Sequence, residues 1–220
     1  MRLLELFAGT GSVGKAYREK GWETVSLDIE PGHDITCDIM NWDYSQLPKH
    51  FDAIHCSPPC THYSIARTTA KTPRDLEGAD AIVQRTLEII KYFEPKVWTI
   101  ENPYTGYMKD RPFMFHMKPF LRQVTYCKYG LPYRKATSVW TNLATFWQPR
   151  SVCTRSDPCE HMVDGRHLKT AQRGPGRFRG QLRTEDKCSL HELYALPSEL
   201  CAELAEAATR SIVEQNNLNP

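Results

Sequence analysis

The sequence lacks long hydrophobic runs and has no marked excess of charge of either sign. No apolar stretch approaches the roughly 18 residues that a membrane-spanning helix needs, so no membrane association is expected. The 28 lysines and arginines nearly balance 26 aspartates and glutamates, and the net charge is only +2. The molecule as a whole is therefore not a polyanion binder, and any contact with nucleic acid must come from a local patch.

Signs of export are also missing. The apolar start of the chain, residues 1–7, is too short for a signal peptide and runs directly into a glycine turn, which favours a first buried strand. Without export, the eight cysteines do not indicate a disulfide framework. They are better interpreted as buried thiols, a nucleophile or metal ligands in an intracellular, reducing compartment.

The first half of the chain alternates predicted strands and helices. In chain order, the pattern predicts a strand over 2–7, a helix over 13–20, a strand over 23–27, a short element ending near 39, a strand over 51–56, a helix over 78–93 and a strand over 97–100. This order is typical of a doubly wound α/β fold built on a parallel sheet.

The second half is less regular. Residues 145–190 hold clustered Cys and His residues, several glycines and many arginines, which predicts a small irregular subdomain. A helix with apolar residues at helical spacing is predicted from the N-cap Ser198 to about Gln215. At 220 residues, the chain fits one domain of ordinary size with such an appendage.

A glycine turn, Phe-Ala-Gly-Thr-Gly-Ser-Val-Gly over 7–14, joins the first strand to the first helix. Glycines there let the backbone approach a ligand, and free helix amides can face polar groups. Asp28 ends the second strand, where a carboxylate can accept hydrogen bonds from ribose hydroxyls. The dinucleotide pattern is only loosely met, which indicates a different adenosine-containing cofactor, with Asp38 near its adenine. An ordinary tight turn and a solvated loop aspartate are the alternatives.

Two further motifs follow buried strands. In Ser57-Pro58-Pro59-Cys60, the prolines stiffen the turn that carries the cysteine, which suits a nucleophile, although a structural thiol is the alternative. Glu101, in Glu101-Asn102-Pro103, could lie beside Cys60 as a proton donor, because the carboxyl ends of parallel strands meet at one edge of a sheet. A salt-bridged or helix-capping glutamate is the other interpretation. Cys56, inside its strand, is expected in the core.

The three motifs in this order, Phe-x-Gly-x-Gly, Pro-Pro-Cys and Glu-Asn, resemble the DNA cytosine-5 methyltransferase family over residues 3 to about 143. The resemblance implies a doubly wound mixed sheet of the S-adenosylmethionine-dependent methyltransferase type. It also implies a catalytic domain over 1–144, a small target-recognition subdomain over 145–190 and a helix in 191–220 that packs back on the catalytic domain. The implied partner is duplex DNA with the target base flipped out, and the implied cofactor is S-adenosylmethionine.

The resemblance also implies roles for individual residues. The cofactor-binding set comprises Phe7, Ala8, Gly9, Thr10, Gly11, Ser12, Asp28 (or Glu30), Ile29, Asp38, Ile39 and Pro58. The set expected to bind the substrate within the catalytic domain comprises Pro59, His62, Ser64 and Asn102.

For catalysis, the resemblance implies that Cys60 attacks carbon 6 of cytosine while Glu101 assists at N3. Where the family has Gln-x-Arg-x-Arg, this chain has Tyr-Arg-Lys-Ala-Thr, which leaves Arg134 or Lys135 to lower the pKa of the Cys60 thiol. Position 103 is proline where the family usually has valine. The polar and basic loop over 62–74 is expected to close over the flipped base.

Cys153, Cys159, His161 and His167 offer four metal ligands within 15 residues, and Cys188 and His191 follow. A structural zinc ion is one interpretation, although the spacing is not the usual C-x2-C, and a metal-free loop with scattered thiols is the other.

The same region carries six basic residues and no acidic one from 166 to 183. Phosphate contact is expected there rather than a plain solvated loop, with Arg173, Arg177 and Arg179 as the DNA-binding residues.

Three other functions remain open at this point. An RNA or tRNA cytosine-5 methyltransferase would use the same scaffold, and an inert DNA-binding relative would keep the fold without activity. A nicotinamide-dependent oxidoreductase would use the glycine turn but would have no purpose for Pro-Pro-Cys. The expected setting is a monomer in the cytoplasm of a bacterial or phage-infected cell.

Overall fold

A computed structural model describes residues 1–67, 70–167, 169, 177–178, 181–182 and 190–218. Seven strands form its central sheet: β1 (Arg2–Leu6), β2 (Glu23–Asp28), β3 (Ile35–Thr36), β4 (Ala53–Cys56), β5 (Val97–Pro103), β6 (Leu121–Thr125) and β7 (Ala136–Thr141). Their order across the sheet is β3-β2-β1-β4-β5-β7-β6. The first five strands run parallel, and β7 is antiparallel to both of its neighbours.

The remaining elements of the described residues are helices and two short hairpins. The α-helices are α1 (Ser12–Glu19), α2 (Leu76–Phe93), α3 (Leu190–Tyr194) and α4 (Ser198–Leu218). The 3-10 segments are Tyr44–Gln46, Met108–Asp110, Pro112–Phe120 and Tyr126–Tyr129. One hairpin pairs β8 (Met162–Val163) with β9 (Arg166–His167), and the other pairs β10 (Arg177–Phe178) with β11 (Gln181–Leu182). In the part of the chain described, no helix is long and apolar enough to cross a membrane.

Both faces of the sheet are covered, because alternate residues of the inner strands point into two separate cores. On β1, Leu3 joins the core formed with α1 and α4, whereas Leu4 and Leu6 join the core formed with α2. All three leucines are fully buried, as expected for a parallel strand with helices on both sides. The α4 side is also pinned by a hydrogen bond from Trp22 Nε1 to Thr209 Oγ1 of 3.0 Å.

The predicted fold class, a doubly wound mixed α/β sheet, is confirmed. The helices predicted over 13–20 and 78–93 and the helix beginning at Ser198 are present within two or three residues of their expected bounds. The sequence pattern missed β6 and β7, and it ended β5 at residue 100, three residues too early. The proposed division into a catalytic domain, a recognition subdomain and a terminal helix stays a prediction.

One carboxyl group is buried where β1 meets α1. Glu5 is only 3% exposed, and its Oε2 accepts a hydrogen bond of 3.0 Å from the backbone N–H of Gly14. Burial raises the pKa of Glu5 from 4.5 to about 7, although the Gly14 hydrogen bond and the charge of Arg18 lower it in part. A Cβ at Gly14 would lie 2.5 Å from the same oxygen, so the close approach requires glycine.

Glu5 should make the stability of the protein depend on pH. Because the folded protein holds this proton up to about pH 7 and the unfolded chain releases it near 4.5, the free energy of unfolding falls as pH rises through that window, by roughly 3 kcal/mol. Urea denaturation at a series of pH values should show this loss in the wild type but not in Glu5→Gln. Glu19→Gln, at an exposed position of α1, is the control and should follow the wild type. Parallel curves for wild type and Glu5→Gln would contradict the assignment.

Candidate active site

The glycine turn after β1 has a backbone that few side chains tolerate. Gly9 and Gly11 have φ angles of 50° and 66°, and Phe7 has a φ of 59°, which is uncommon for a bulky residue. Backbone bonds tie the turn to the end of β2, from Ala8 N to Leu27 O at 3.0 Å. A Cβ at Gly11 would meet nothing within 4 Å, so the turn borders open space at the start of α1.

Asp28 holds the glycine turn from the neighbouring strand. Its Oδ2 accepts a hydrogen bond of 2.8 Å from Gly9 N, and its Oδ1 accepts one of 3.0 Å from Glu30 N. Each carboxylate oxygen has a second lone pair, so both can still accept a hydroxyl from a ligand. The next residue, Ile29, is 64% exposed and offers an apolar surface beside this carboxylate.

The two residues predicted to lie near an adenine differ in exposure. Asp38 is partly exposed, and its Oδ1 accepts a hydrogen bond of 2.9 Å from Met40 N. Ile39 is only 4% exposed and packs in the core on the α2 side of the sheet. Ile39 therefore belongs to the core beneath the site and does not form an exposed surface for an adenine.

The loop that carries Cys60, residues 57–60, follows β4 directly, and a buried side chain anchors it. Pro58 is buried, Pro59 is exposed and Cys60 is half-buried. Asn102 is fully buried, and its Nδ2 donates a hydrogen bond of 2.9 Å to the carbonyl of Pro58. Asn102 was predicted to bind substrate, but its amide nitrogen instead anchors the loop that presents Cys60. Its Oδ1 is buried and has no hydrogen-bond partner among the described residues.

The chain turns sharply after Cys60, and hydrogen bonds to the backbone and from residues 74 and 75 hold this turn. The carbonyl of Cys60 accepts hydrogen bonds from Tyr63 N at 3.0 Å and Ser64 N at 2.8 Å. Arg74 donates to the carbonyls of His62 and Ser64. His62 Nδ1 also accepts from Asp75 N at 2.9 Å. The two predicted substrate residues, His62 and Ser64, thus lie beside Cys60 with their backbones fixed.

A partly buried ion pair supports this turn and was not predicted. Tyr63 is fully buried, and its hydroxyl donates a hydrogen bond of 2.7 Å to Asp80 of α2. Arg111 makes a bidentate contact with the same carboxylate, with its closest bond at 2.6 Å. Charge-assisted, bidentate bonds of this kind fix geometry well. The start of the loop is therefore attached rigidly to α2.

Glu101 lies inside β5 instead of after it, opposite Val139 of β7. It is 6% exposed, and its Oε1 accepts a hydrogen bond of 2.9 Å from the hydroxyl of the buried Tyr126. Sequence reasoning missed Tyr126, because nothing in the local pattern connects the 3-10 segment after β6 with the middle of β5. Tyr126 fixes the carboxyl group in one orientation.

Burial and two neighbouring charges act on the Cys60 thiol. Burial raises its pKa, the nearby carboxylate of Glu101 raises it further, and the ammonium of Lys135 lowers it. The net direction is upward, so the expectation of a lowered pKa was wrong in this structure, because burial outweighs the single cation.

The structure also separates the two candidate basic residues. Lys135 Nζ lies 4.8 Å from the centre of the Tyr126 ring and donates to Leu193 O at 3.0 Å. Arg134 Nε donates to the carbonyl of Cys153 at 3.3 Å, on the side of the Cys and His residues. Of the pair, Lys135 is the one that acts on Cys60.

A second cluster contains four possible metal ligands. The ligand atoms of Cys127, Cys153, Cys159 and His167 all lie within 4.8 Å of one another. Three of these residues were predicted, but Cys127 takes the place expected for His161. The correction has a topological cause, because Cys127 lies in the 3-10 segment that follows β6, far back in sequence, and the β8–β9 hairpin carries His167 to it.

The side chains of the three predicted DNA-binding arginines are not among those that the structure describes. Arg173 and Arg179 lie outside the described residues, and Arg177 is described only as part of the backbone of β10. Arg166, which begins the basic segment, is exposed on β9.

Known proteins resemble this chain over most of its length. Residues 1–104 match the model of the C-5 cytosine-specific DNA methylase family. A Frog virus 3 (isolate Goorha) protein named "Probable DNA (cytosine-5)-methyltransferase" is 34% identical over 201 residues, which cover 84% of this chain and 86% of that protein. The type II methyltransferase M.AplI of Arthrospira platensis is 23% identical over 163 residues, covering 66% of this chain and 46% of that protein.

A solved structure is also similar. It is described as a "putative DNA modification methyltransferase encoded within prophage" from E. coli, and it aligns with a TM-score of 0.49 and 13% identity. The alignment covers 74% of this chain and 56% of the other.

The charges around Cys60 should be visible in its reactivity. Because only the thiolate is alkylated, the midpoint of the rate against pH reports the pKa of this thiol. Removing the carboxylate charge in Glu101→Gln should move the midpoint to lower pH, and removing the ammonium in Lys135→Gln should move it to higher pH. Iodoacetamide labelling, quantified by mass spectrometry on the peptide that contains Cys60, measures both shifts. Equal midpoints in all three proteins would refute the arrangement.

Proposed function

The chain belongs to the DNA (cytosine-5)-methyltransferase family, and we propose that it methylates carbon 5 of cytosine in DNA through a covalent bond between Cys60 and carbon 6. The observation that carries the proposal is a half-buried thiol on a doubly anchored loop, within electrostatic reach of one buried carboxyl group and one ammonium. A nucleophile, an acid and a cation around one position are the groups that addition to an aromatic ring requires.

The glycine turn and Asp28 fit S-adenosylmethionine. The open space beside Gly11 leaves room at the start of α1, an N-terminus that favours a carboxylate such as that of the methionine part. Asp28 has acceptor positions left for ribose hydroxyls, and the exposed Ile29 provides an apolar surface for the adenine ring. When bound, S-adenosylmethionine supplies the electrophilic methyl group.

Cys60 makes carbon 5 of cytosine reactive. Its sulfur adds to carbon 6, and the electron pair of the 5,6 double bond becomes available at carbon 5 to take the methyl group. Loss of the carbon 5 proton to a base then restores the double bond as the C6–S bond breaks and releases Cys60 unchanged. The stiff Pro58-Pro59 turn and the Asn102 hydrogen bond keep the sulfur in place throughout.

Glu101 and Cys60 are coupled through charge. A protonated Glu101 donates a hydrogen bond to N3 of the base, which prevents negative charge from building up in the ring. The charge of the Glu101 carboxylate raises the pKa of Cys60, whereas the ammonium of Lys135 and a backbone hydrogen bond at Cys60 lower it.

DNA is the substrate that the family membership supports, and the target base must leave the stack to reach Cys60. The clamped loop that starts at His62 forms one wall of the site, while the basic segment over 166–183 supplies phosphate contacts outside it. We propose that this segment replaces a large recognition domain.

The central test combines activity with trapping. Wild-type protein should methylate cytosine in duplex DNA and form a stable adduct with an oligonucleotide that carries 5-fluorocytosine, because fluorine cannot leave carbon 5 as the proton does. Cys60→Ser should lose both activities while calorimetry shows that it still binds S-adenosylmethionine. Glu101→Gln should slow methylation by about 10²–10⁴-fold.

Substrate choice is decided in the same assay. Equal amounts of duplex DNA, single-stranded DNA and tRNA should give product with duplex DNA first. Faster methylation of tRNA would replace DNA by RNA in the proposal, and a wild type that binds S-adenosylmethionine without adduct or product on any of the three would mean an inert relative.

Tyr126 should act as a positioning residue for Glu101. A hydrogen bond to a charged acceptor is worth about 1.5–3 kcal/mol, so Tyr126→Phe should lower kcat roughly tenfold to a hundredfold with an unchanged KM for S-adenosylmethionine. Tyr129→Phe is the matched control, since this buried tyrosine accepts its bond from Arg150 N and does not contact Glu101. Equal losses of kcat in the two variants would indicate a general effect on folding instead.

A further inference from the structure

The cluster of three cysteines and one histidine has no part in the proposed methyl transfer. Cys127, Cys153 and Cys159 are buried, with exposed fractions of 2%, 1% and 8%, and form a small apolar cluster. Among the described residues, Met162 is the one partly buried hydrophobic residue that packs against it. His167 Nε2 lies 3.2 Å from Cys159 Sγ and 3.7 Å from Cys153 Sγ. Few apolar contacts therefore hold this part of the molecule together.

The separations suit a tetrahedral metal site. With Zn–S bonds of about 2.3 Å and Zn–N bonds of about 2.0–2.1 Å, tetrahedral angles put sulfur and nitrogen about 3.6 Å apart and two sulfurs about 3.8 Å apart. The two sulfur–nitrogen distances of 3.2 and 3.7 Å bracket the first value, and every pair in the cluster lies within 4.8 Å. A disulfide would use two of the three thiols and leave the third beside the imidazole.

The backbone around the cluster is already arranged to present the ligands. Cys153 N donates a hydrogen bond of 2.9 Å to Thr125 Oγ1 at the end of β6. Met162 N donates to Cys159 O at 3.1 Å. A turn with φ values of 52° and 73° at Asp164 and Gly165 then reverses the chain, so that β9 returns His167 to the sulfurs. Such supporting contacts are typical of sites that hold a metal in fixed geometry.

We propose that Cys127, Cys153, Cys159 and His167 bind one structural zinc ion, which fastens the arm over 153–167 to the end of β6. Soft thiolates with one imidazole are a ligand set that favours zinc, and four protein ligands leave no open position for catalysis. A small subdomain with so few apolar contacts gains most from such a link. Cys127 directly follows Tyr126, the partner of Glu101, and the arm leads into the basic segment. The ion therefore connects the base site with the segment proposed to contact DNA.

Metal analysis of the full chain tests the proposal. Protein purified without chelators and dialysed against metal-free buffer should contain about one zinc per chain by mass spectrometry of the elements. His167→Gln should lose the zinc, whereas His161→Gln, the matched control six residues earlier on the same arm, should keep it. Wild-type protein without stoichiometric zinc would overturn the proposal, and loss from His161→Gln with retention in His167→Gln would overturn the ligand set.

A second measurement on the wild type applies even if a variant fails to fold. Replacement of zinc by Co²⁺ should give the intense absorption of a tetrahedral thiolate site, with sulfur-to-cobalt charge-transfer bands. Thiol reagents should then release the ion as the three cysteines react. A weak spectrum of octahedral type, or a disulfide between two of these cysteines in the purified wild type, would refute a zinc site. None of these readouts depends on methyltransferase activity.

Discussion

The structure depends on one row of buried residues that crosses four parallel strands in register. Leu27 pairs with Leu6, Leu6 with Cys56 and Cys56 with Ile100, and all four are at most 1% exposed. Since the strands run in the same direction, the residues that follow the row emerge together at one edge. Asp28, Phe7, Ser57 and Glu101 are those residues, so every motif of the site begins one position beyond the row. A slip of one strand would separate the motifs and turn its side chains to the opposite face.

Charge at this edge is balanced against burial. Burial opposes ionisation of the Cys60 thiol, and the same apolar surroundings make each neighbouring charge count for more. Of the neighbouring charges, Lys135 favours the thiolate and Glu101 opposes it. Removing the charge of the Glu101 carboxylate would therefore lower the pKa of the Cys60 thiol. The pKa of an exposed cysteine that is already low would not respond in this way.

The sequence alone predicted those features of the molecule that depend on residues close together in the chain. Apolar runs, proline and glycine marked β1, β4 and the loop of Cys60, because burial on both faces leaves continuous hydrophobic stretches. It failed where long-range packing decides. Tyr126 and Cys127 acquire their roles only when β6 is placed beside β7, and the direction of the pKa shift at Cys60 follows from burial in the complete fold. Asn102 was assigned to substrate because its burial under Pro58 has no local signal.

Two residues that are adjacent in sequence lie between the base site and the cysteine cluster. Arg134 and Lys135 are neighbours in sequence that have different partners. Arg134 donates to the carbonyl of Cys153, and Lys135 acts on Cys60. The two neighbouring cations therefore serve different sites: Arg134 holds the backbone at Cys153, whereas Lys135, which also donates to Leu193 O and lies over the Tyr126 ring, sets the charge beside the thiol.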